Sequence, residues 1–159
     1  MSGKSQFPHL HISIRKDNKV IGPFSGKCSD AQDYLWKDRI EYTGTHLLKY
    51  GFTKTPPTIN SIEKGESTTL TTDSPALLFW VNVVGIKEGD QQEITITKPN
   101  GDQLIQTTQK IEKSKVNWFS FVGKKRSPGG WQKGTYKAIC IVKHNSEPIV
   151  QQQASVTIN

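Results

Sequence analysis

Apolar and β-branched residues recur in short runs from Glu66 onward, each bounded by turn-forming residues. The runs read "STTLTT", "ALLFWVNVVG", "QEITITKP", "QLIQTTQKI", "VNWFSFVG", "GTYKAICIV" and "PIVQQQASVTI". Runs of this length, rich in Val, Ile, Thr and aromatics, predict strands, and their regular spacing predicts an all-β domain. "PNGD" at Pro99 to Asp102 has the chemistry of a tight hairpin turn, and "SPGGWQKG" marks another loop. Seven such strands, with Trp80 and Trp118 inside them, predict an immunoglobulin-like antiparallel β-sandwich of about 100 residues.

The first third of the chain has a different pattern. From Pro8 to Ile14 the sequence alternates, with His9, His11 and Ser13 on one face and Leu10, Ile12 and Ile14 on the other. This predicts a half-buried strand. The turn residues of "KDNK" then fold a second short strand at Val20-Ile21 back as a hairpin. The alternation ends there. "SGKCSDAQDYLWKDRIEYTGTHLLKYGF" predicts short helical turns and loops, with "TGTHLLKYG" as a helix capped by Thr43 or Thr45 and ended by Gly51. Tyr34, Leu35, Trp36, Leu47, Leu48, Tyr50 and Phe52 are its expected packing residues. Pro56-Pro57 within "TKTPPTINS" favours an extended linker. The predicted organisation is therefore a first segment over 1–52, a Pro-rich linker over 53–61 and the sandwich over 62–159.

Composition narrows the functional classes. Apolar residues are 33% and charged residues 22% of 159, a balance that is neither disordered nor disulfide-dense. The longest apolar run, Ala76 to Gly85, is too short to cross a bilayer as a helix. "MSGKSQFPH" lacks the apolar core of a secretion signal, so the chain as written is expected to stay in the cytoplasm. A net charge of +7 favours anionic partners. Nucleic acid is not expected among them, because the aromatics sit in apolar runs rather than between Lys and Arg on one strand face. The densest basic cluster, Lys124-Lys125-Arg126, is expected in a solvated turn. Cys28 and Cys140 permit one disulfide without arguing for it, and no Cys-x-x-Cys spacing supports a zinc ribbon.

One constellation carries chemistry. His9 and His11 lie two apart on the first predicted strand, so both can look into one cavity about 7 Å apart along the backbone. Such a pair can divide the work of a metal site, one residue ligating and the other acting on the bound water.

The run "SGKSQFPHLHISIRKDNKVIGPF" resembles the final motif of the lysostaphin-type, LytM-like zinc metallopeptidases. The matching residues are Ser2-Gly3, Pro8, His9, Leu10, His11, the strand Ile12 to Lys16, the turn Asp17-Asn18-Lys19 and Pro23-Phe24. "YLW", "LLKYGF" and the sandwich beginning "SPALLFWVNVVG" also look like the tail of some members. Gly22 departs from the pattern, since many members carry Asp before the Pro. The resemblance implies that His11 is a zinc ligand and that His9 is the catalytic histidine assisting the zinc-bound water. It implies hydrolysis of peptide bonds in bacterial peptidoglycan, and a cell-envelope or periplasmic location for the parent family.

The ligand count is incomplete. A catalytic zinc needs about three protein ligands, and the family draws the others from an upstream His-x-x-x-Asp motif. Only eight residues precede His9, and neither His46 nor His144 is followed by Asp four residues later. The sequence therefore reads as the C-terminal portion of such a peptidase, inactive alone and not stably holding zinc. Peptidoglycan or another anionic envelope polymer is the expected partner. The alternative is a non-enzymatic β-sandwich for envelope binding or interaction. A homodimer through the N-terminal hairpin is a further expectation, since two strands alone are marginal in water.

Overall fold

The structure is a computed structural model, and it describes residues 12–22, 36–38, 44–64 and 69–159. The chain divides into two compact units, Met1–Thr43 and Gly44–Asn159.

In the first unit, β1 (Ile14–Lys16) pairs antiparallel with β2 (Lys19–Ile21), Ile14 opposite Ile21 and Lys16 opposite Lys19. Asp17 and Asn18 both have positive φ, 51° and 62°. These are the left-handed conformations that a two-residue hairpin turn demands and that Asp and Asn tolerate. The hairpin is where the sequence predicts it. Residues 12–13, expected within the first strand, are not part of β1, and residues 8–11 lie outside the described residues. Ile12 is exposed.

The second unit contains β3 (His46–Thr53), α1 (Ile59–Glu63), β4 (Ala76–Ile86), β5 (Gln91–Thr97), β6 (Gln103–Lys110), β7 (Lys115–Lys125), β8 (Gly134–His144) and β9 (Glu147–Ile158). The seven strands form two antiparallel sheets, ordered β3-β4-β7 and β6-β5-β8-β9. This is the predicted β-sandwich, divided three strands on four. In the constant-type immunoglobulin arrangement the first sheet holds four strands and the second three. Here β6 pairs with β5, which gives the second sheet its fourth strand.

The core follows from alternation. On β4, Leu77, Phe79, Val81 and Val83 point between the sheets, and on β8 Tyr136, Ala138, Cys140 and Val142 meet them. Ile94 and Ile96 of β5 complete the layer. Each large apolar side chain buried this completely contributes about 1.5–3 kcal/mol.

Three expectations are corrected. Residues 43–51, predicted as a helix, include most of β3, which pairs with β4 from His46↔Val84 to Thr53↔Leu78. A register shift between Leu47 and Lys49 puts Leu47, Tyr50 and Phe52 opposite Val83, Val81 and Phe79. The inward residues are thus spaced three and then two apart, which in sequence imitates the spacing of a helix. Thr45 caps nothing; its hydroxyl donates to the Gly85 carbonyl at 2.9 Å. Gly85 has φ +73°, and a Cβ there would lie 1.9 Å from the Gly44 carbonyl oxygen, so only glycine fits this close approach.

Of the expected first strand "STTLTT", residues 67–68 lie outside the described residues and residues 69–72 are not a strand. Residues 69–75 turn instead, Leu70 plugging the core while the Thr71 N–H donates to the Ser74 hydroxyl at 2.8 Å. The expected linker over 53–61 also differs. Thr53 is the buried last residue of β3, and Thr58 caps α1, whose Ile62 is buried. Residues 46–61 therefore belong to the same compact unit as the rest of the sandwich.

Two polar residues at the start of β5 organise the interior. Asp90 is fully buried: its Oδ2 accepts from the Lys87 N–H at 2.8 Å, and its Oδ1 lies 2.6 Å from His144 Nδ1. Its carbonyl accepts from the Ile111 N–H at 2.8 Å. Gln92 spans the two sheets, its Oε1 accepting from Ser120 Oγ at 2.7 Å and from Trp118 Nε1 at 3.2 Å. Asp90→Ala removes the acceptor of two donors and is expected to cost about 1–3 kcal/mol. The check is a lower urea midpoint at unchanged slope. His144→Ala, at a half-exposed side chain whose partner keeps its Lys87 bond, should cost clearly less.

Candidate functional site

At one edge of the sandwich the outer strands β3 and β9 border a groove of about 1090 Å³. β3 contributes Lys49 to Phe52 and β9 contributes Gln153 to Val156, four consecutive residues from each. Trp80 of β4, Ile62 of α1 and residues Lys137 to Ile139 of β8 complete much of its wall.

Gly51 sets the aromatic part. It pairs with Trp80, and a Cβ on Gly51 would sit 3.1 Å from the indole Cζ2, tighter than ordinary van der Waals contact. The missing side chain lets the indole lie close against the backbone of β3. From there an aromatic row runs outward, with Trp80 and Phe119 centroids 6.3 Å apart and Phe119 and Phe121 also 6.3 Å apart. Across the groove mouth, Gln152 Nε2 donates to the Tyr50 hydroxyl oxygen at 3.0 Å, a direct tie between β3 and β9.

The electrostatics are uneven. Lys143 holds both carboxylate oxygens of Glu93 at 2.8 Å, Arg126 meets Asp73 at 2.8 Å, and Lys98 lies 3.8 Å from Asp102. Lys49 and Lys137 line the groove and are exposed, and neither is in an ion pair among the described residues. Lys124, Lys125 and Arg126 are exposed, but the expected turn is corrected: Lys124 and Lys125 end β7, paired with Leu77 and Ala76, and Arg126 is held by Asp73.

The residues singled out in the sequence fare differently. His9, His11 and Cys28 lie outside the described residues. His46 is exposed on β3, not in a helix. His144 is half exposed, and its Nδ1 faces the buried Asp90. Among the described residues no group of three or more His, Cys, Asp or Glu is placed to hold a metal. No helix among the described residues is long and apolar enough to cross a membrane. Nothing in the sequence pattern pointed to the groove, whose tie to β3 comes from Gln152 of β9.

Cys140 is free and fully buried in the core, with Gln92 Nε2 4.0 Å from its sulfur. Burial pushes its thiol from an ordinary 9.0 up to about 12, against the smaller lowering by the Gln92 amide. Tyr136 is raised in the same way by burial.

No family model matches the chain, and no curated protein matches it. Solved structures do. A protein assigned as a β-galactosidase from Bacteroides fragilis is 12% identical with a TM-score of 0.47, covering 72% of this chain and 18% of its own. A β-glucuronidase from Bifidobacterium dentium is 16% identical with a TM-score of 0.38, over 73% of this chain and 18% of its own. A cell-surface-expressed chitinase from a Paenibacillus species is 14% identical with a TM-score of 0.39, over 77% and 9%. The chain thus spans less than a fifth of the length of each of these three proteins.

The Cys140 environment gives two expected outcomes. Ellman's reagent should titrate no more than one thiol in the native chain and two in denaturant; two fast native thiols would contradict the burial. Because the folded state raises the pKa, it holds the proton more tightly than the unfolded chain. The contribution to stability is full below about 9 and is lost as pH rises toward about 12. Urea midpoints should fall over that window, and less steeply in Cys140→Ala, with Tyr136 sustaining part of the fall.

Proposed function

We propose that residues 44–159 are a non-catalytic binding module that positions a lysostaphin-like cell-wall peptidase on anionic envelope polymer. The observation that carries this reading is a surplus of exposed lysines, Lys49, Lys124, Lys125 and Lys137 among them, that are in no ion pair among the described residues of a chain with net charge +7. A cationic surface on a rigid sandwich draws and holds polyanions without any catalytic group. The peptidase part of the reading is supported by the Ser2 to Phe24 run and by the hairpin at Ile14–Ile21 that such a motif includes. In it, His11 is the zinc ligand and His9 the histidine acting on bound water, and the cell envelope is the site of action.

Retention on insoluble peptidoglycan tests the module. The chain should sediment with it and should remain bound at about 0.15 M salt, where the screening length is about 8 Å. Replacing the four lysines by Gln should release most of it. Loss of the wild-type chain at that salt would reduce the interaction to general charge attraction.

The peptidase reading has its own test. The purified chain is expected to retain well below one zinc per molecule after dialysis and to leave peptidoglycan uncleaved. Stoichiometric zinc together with hydrolysis would make this chain an enzyme in its own right.

A further inference from the structure

We propose that the β3–β9 groove takes an extended, acidic segment of another protein, which adds to β9 as a fifth strand of the four-stranded sheet. This inference rests on the groove being a ligand site and does not depend on polymer binding.

The first argument is the character of β9. It is an outer strand, so its outward backbone N–H and C=O groups are not used by the sheet. Edge strands are commonly blunted by charge, proline or a bulge. Here the nine residues from Val150 to Ile158 pair with Val142 to Gly134 without a break, and none is charged or proline. The single register shift lies before them, and Pro148 sits at the strand's start. The facing edge is different: β3 carries the shift between Leu47 and Lys49. The two exposed edges at this groove are therefore unequal, and β9 is the one prepared to pair.

The second argument is which atoms the groove meets. Successive side chains on a strand point to opposite faces, so a cavity bordered by one face is lined by every second residue. This groove is lined by Gln153, Ala154, Ser155 and Val156 in succession. Such a cavity runs along the strand's backbone edge. Four residues extend about 13 Å at about 3.3 Å each, enough to hold a short strand in register. Main-chain pairing would supply affinity, and the Tyr50, Trp80 and Ile139 surfaces would select alternate side chains.

The third argument is charge, and it decides between occupants. A second copy of this chain would bring a net +7 against +7 and set Lys137 of each copy near the same edge. Lys49 and Lys137 instead match carboxylates on the strand that enters. The occupant is thus acidic and extended, and is not the chain's own β9.

The experiment uses the full chain and a panel of octapeptides in which Glu or Asp alternates with Val, Ile, Tyr or Thr, beside the same panel with Lys in place of the acids. Acidic members should bind, with amide exchange slowed across residues 150–157, and Lys members should not. The double variant Lys49→Glu, Lys137→Glu lies at exposed positions, so it should keep the native spectrum while weakening binding about tenfold or more. N-methylation of alternate peptide amides should abolish binding for one set of positions and spare the other, which simple charge attraction would not do. Absence of binding by every acidic member at millimolar peptide, equal effects of the two methylated sets, or dimerisation of the chain through residues 150–158 would each overturn the proposal. Peptidoglycan retention that persists without peptide binding would sink this inference alone, and peptide binding without retention would sink only the polymer reading.

Discussion

Asp90 is the constraint on which the closed end of the sandwich depends. Its carboxylate takes the Lys87 N–H and faces His144, and its carbonyl takes the Ile111 N–H. Three segments far apart in sequence are thereby fixed to one fully buried residue: the β4–β5 turn, the exit of β6 and the end of β8. A buried carboxylate is costly unless its lone pairs are used, so the arrangement holds only when all three segments are in place. Gln92 repeats the logic two residues on. It faces inward like Asp90 because the strand alternates, and Trp118 and Ser120 supply the donors its carbonyl needs. Apolar burial provides most of the driving force, while these two residues specify which strands face one another.

The groove is the geometric consequence of dividing seven strands unequally. Neighbouring strands are about 4.8 Å apart, so three strands cannot cover four across their full width. The groove lies on the β3–β9 side, where β9 is the outer strand of the larger sheet. The side chains of Gln152, Ala154 and Val156 point inward there but are only partly buried. The bulge in β3 and the absence of a side chain at Gly51 then shape the opposite wall. Trp80 occupies the space that a larger residue at 51 would have denied it. The site is thus a product of sheet topology first and of particular side chains second.

Legibility in the sequence followed the range of the interactions. β4 to β9 were readable because each is a run of apolar and β-branched residues bounded by turn residues, and the Asp17-Asn18 turn because its chemistry is local. β3 was misread because the bulge at Leu47–Lys49 turns a two-residue period into three and then two. "STTLTT" has the composition of a strand, yet Leu70 is anchored in a turn by Ser74. Asp90 and His144 are separated by 54 residues, and Tyr50 and Gln152 by 102, so no window of sequence brings either pair together. The most conspicuous motif, His9 and His11, lies outside the described residues, while the groove arose from residues of no special chemistry.

Charge shows the same difference between a sum and a placement. The net +7 describes the whole chain and assigns no surface. In the folded unit, Glu93 is held by Lys143 with both partners about three-quarters buried, and Asp73 is held by Arg126. These carboxylates spend their charge locally and leave little field beyond their partners. Lys49 and Lys137 have no such neighbour among the described residues, so their potential projects into the groove, where partly excluded solvent screens it less than at an open surface. A neutralised lysine and a bare one count alike in composition. The fold places two of the exposed lysines, Lys49 and Lys137, beside the groove, where the proposed acidic strand would meet them.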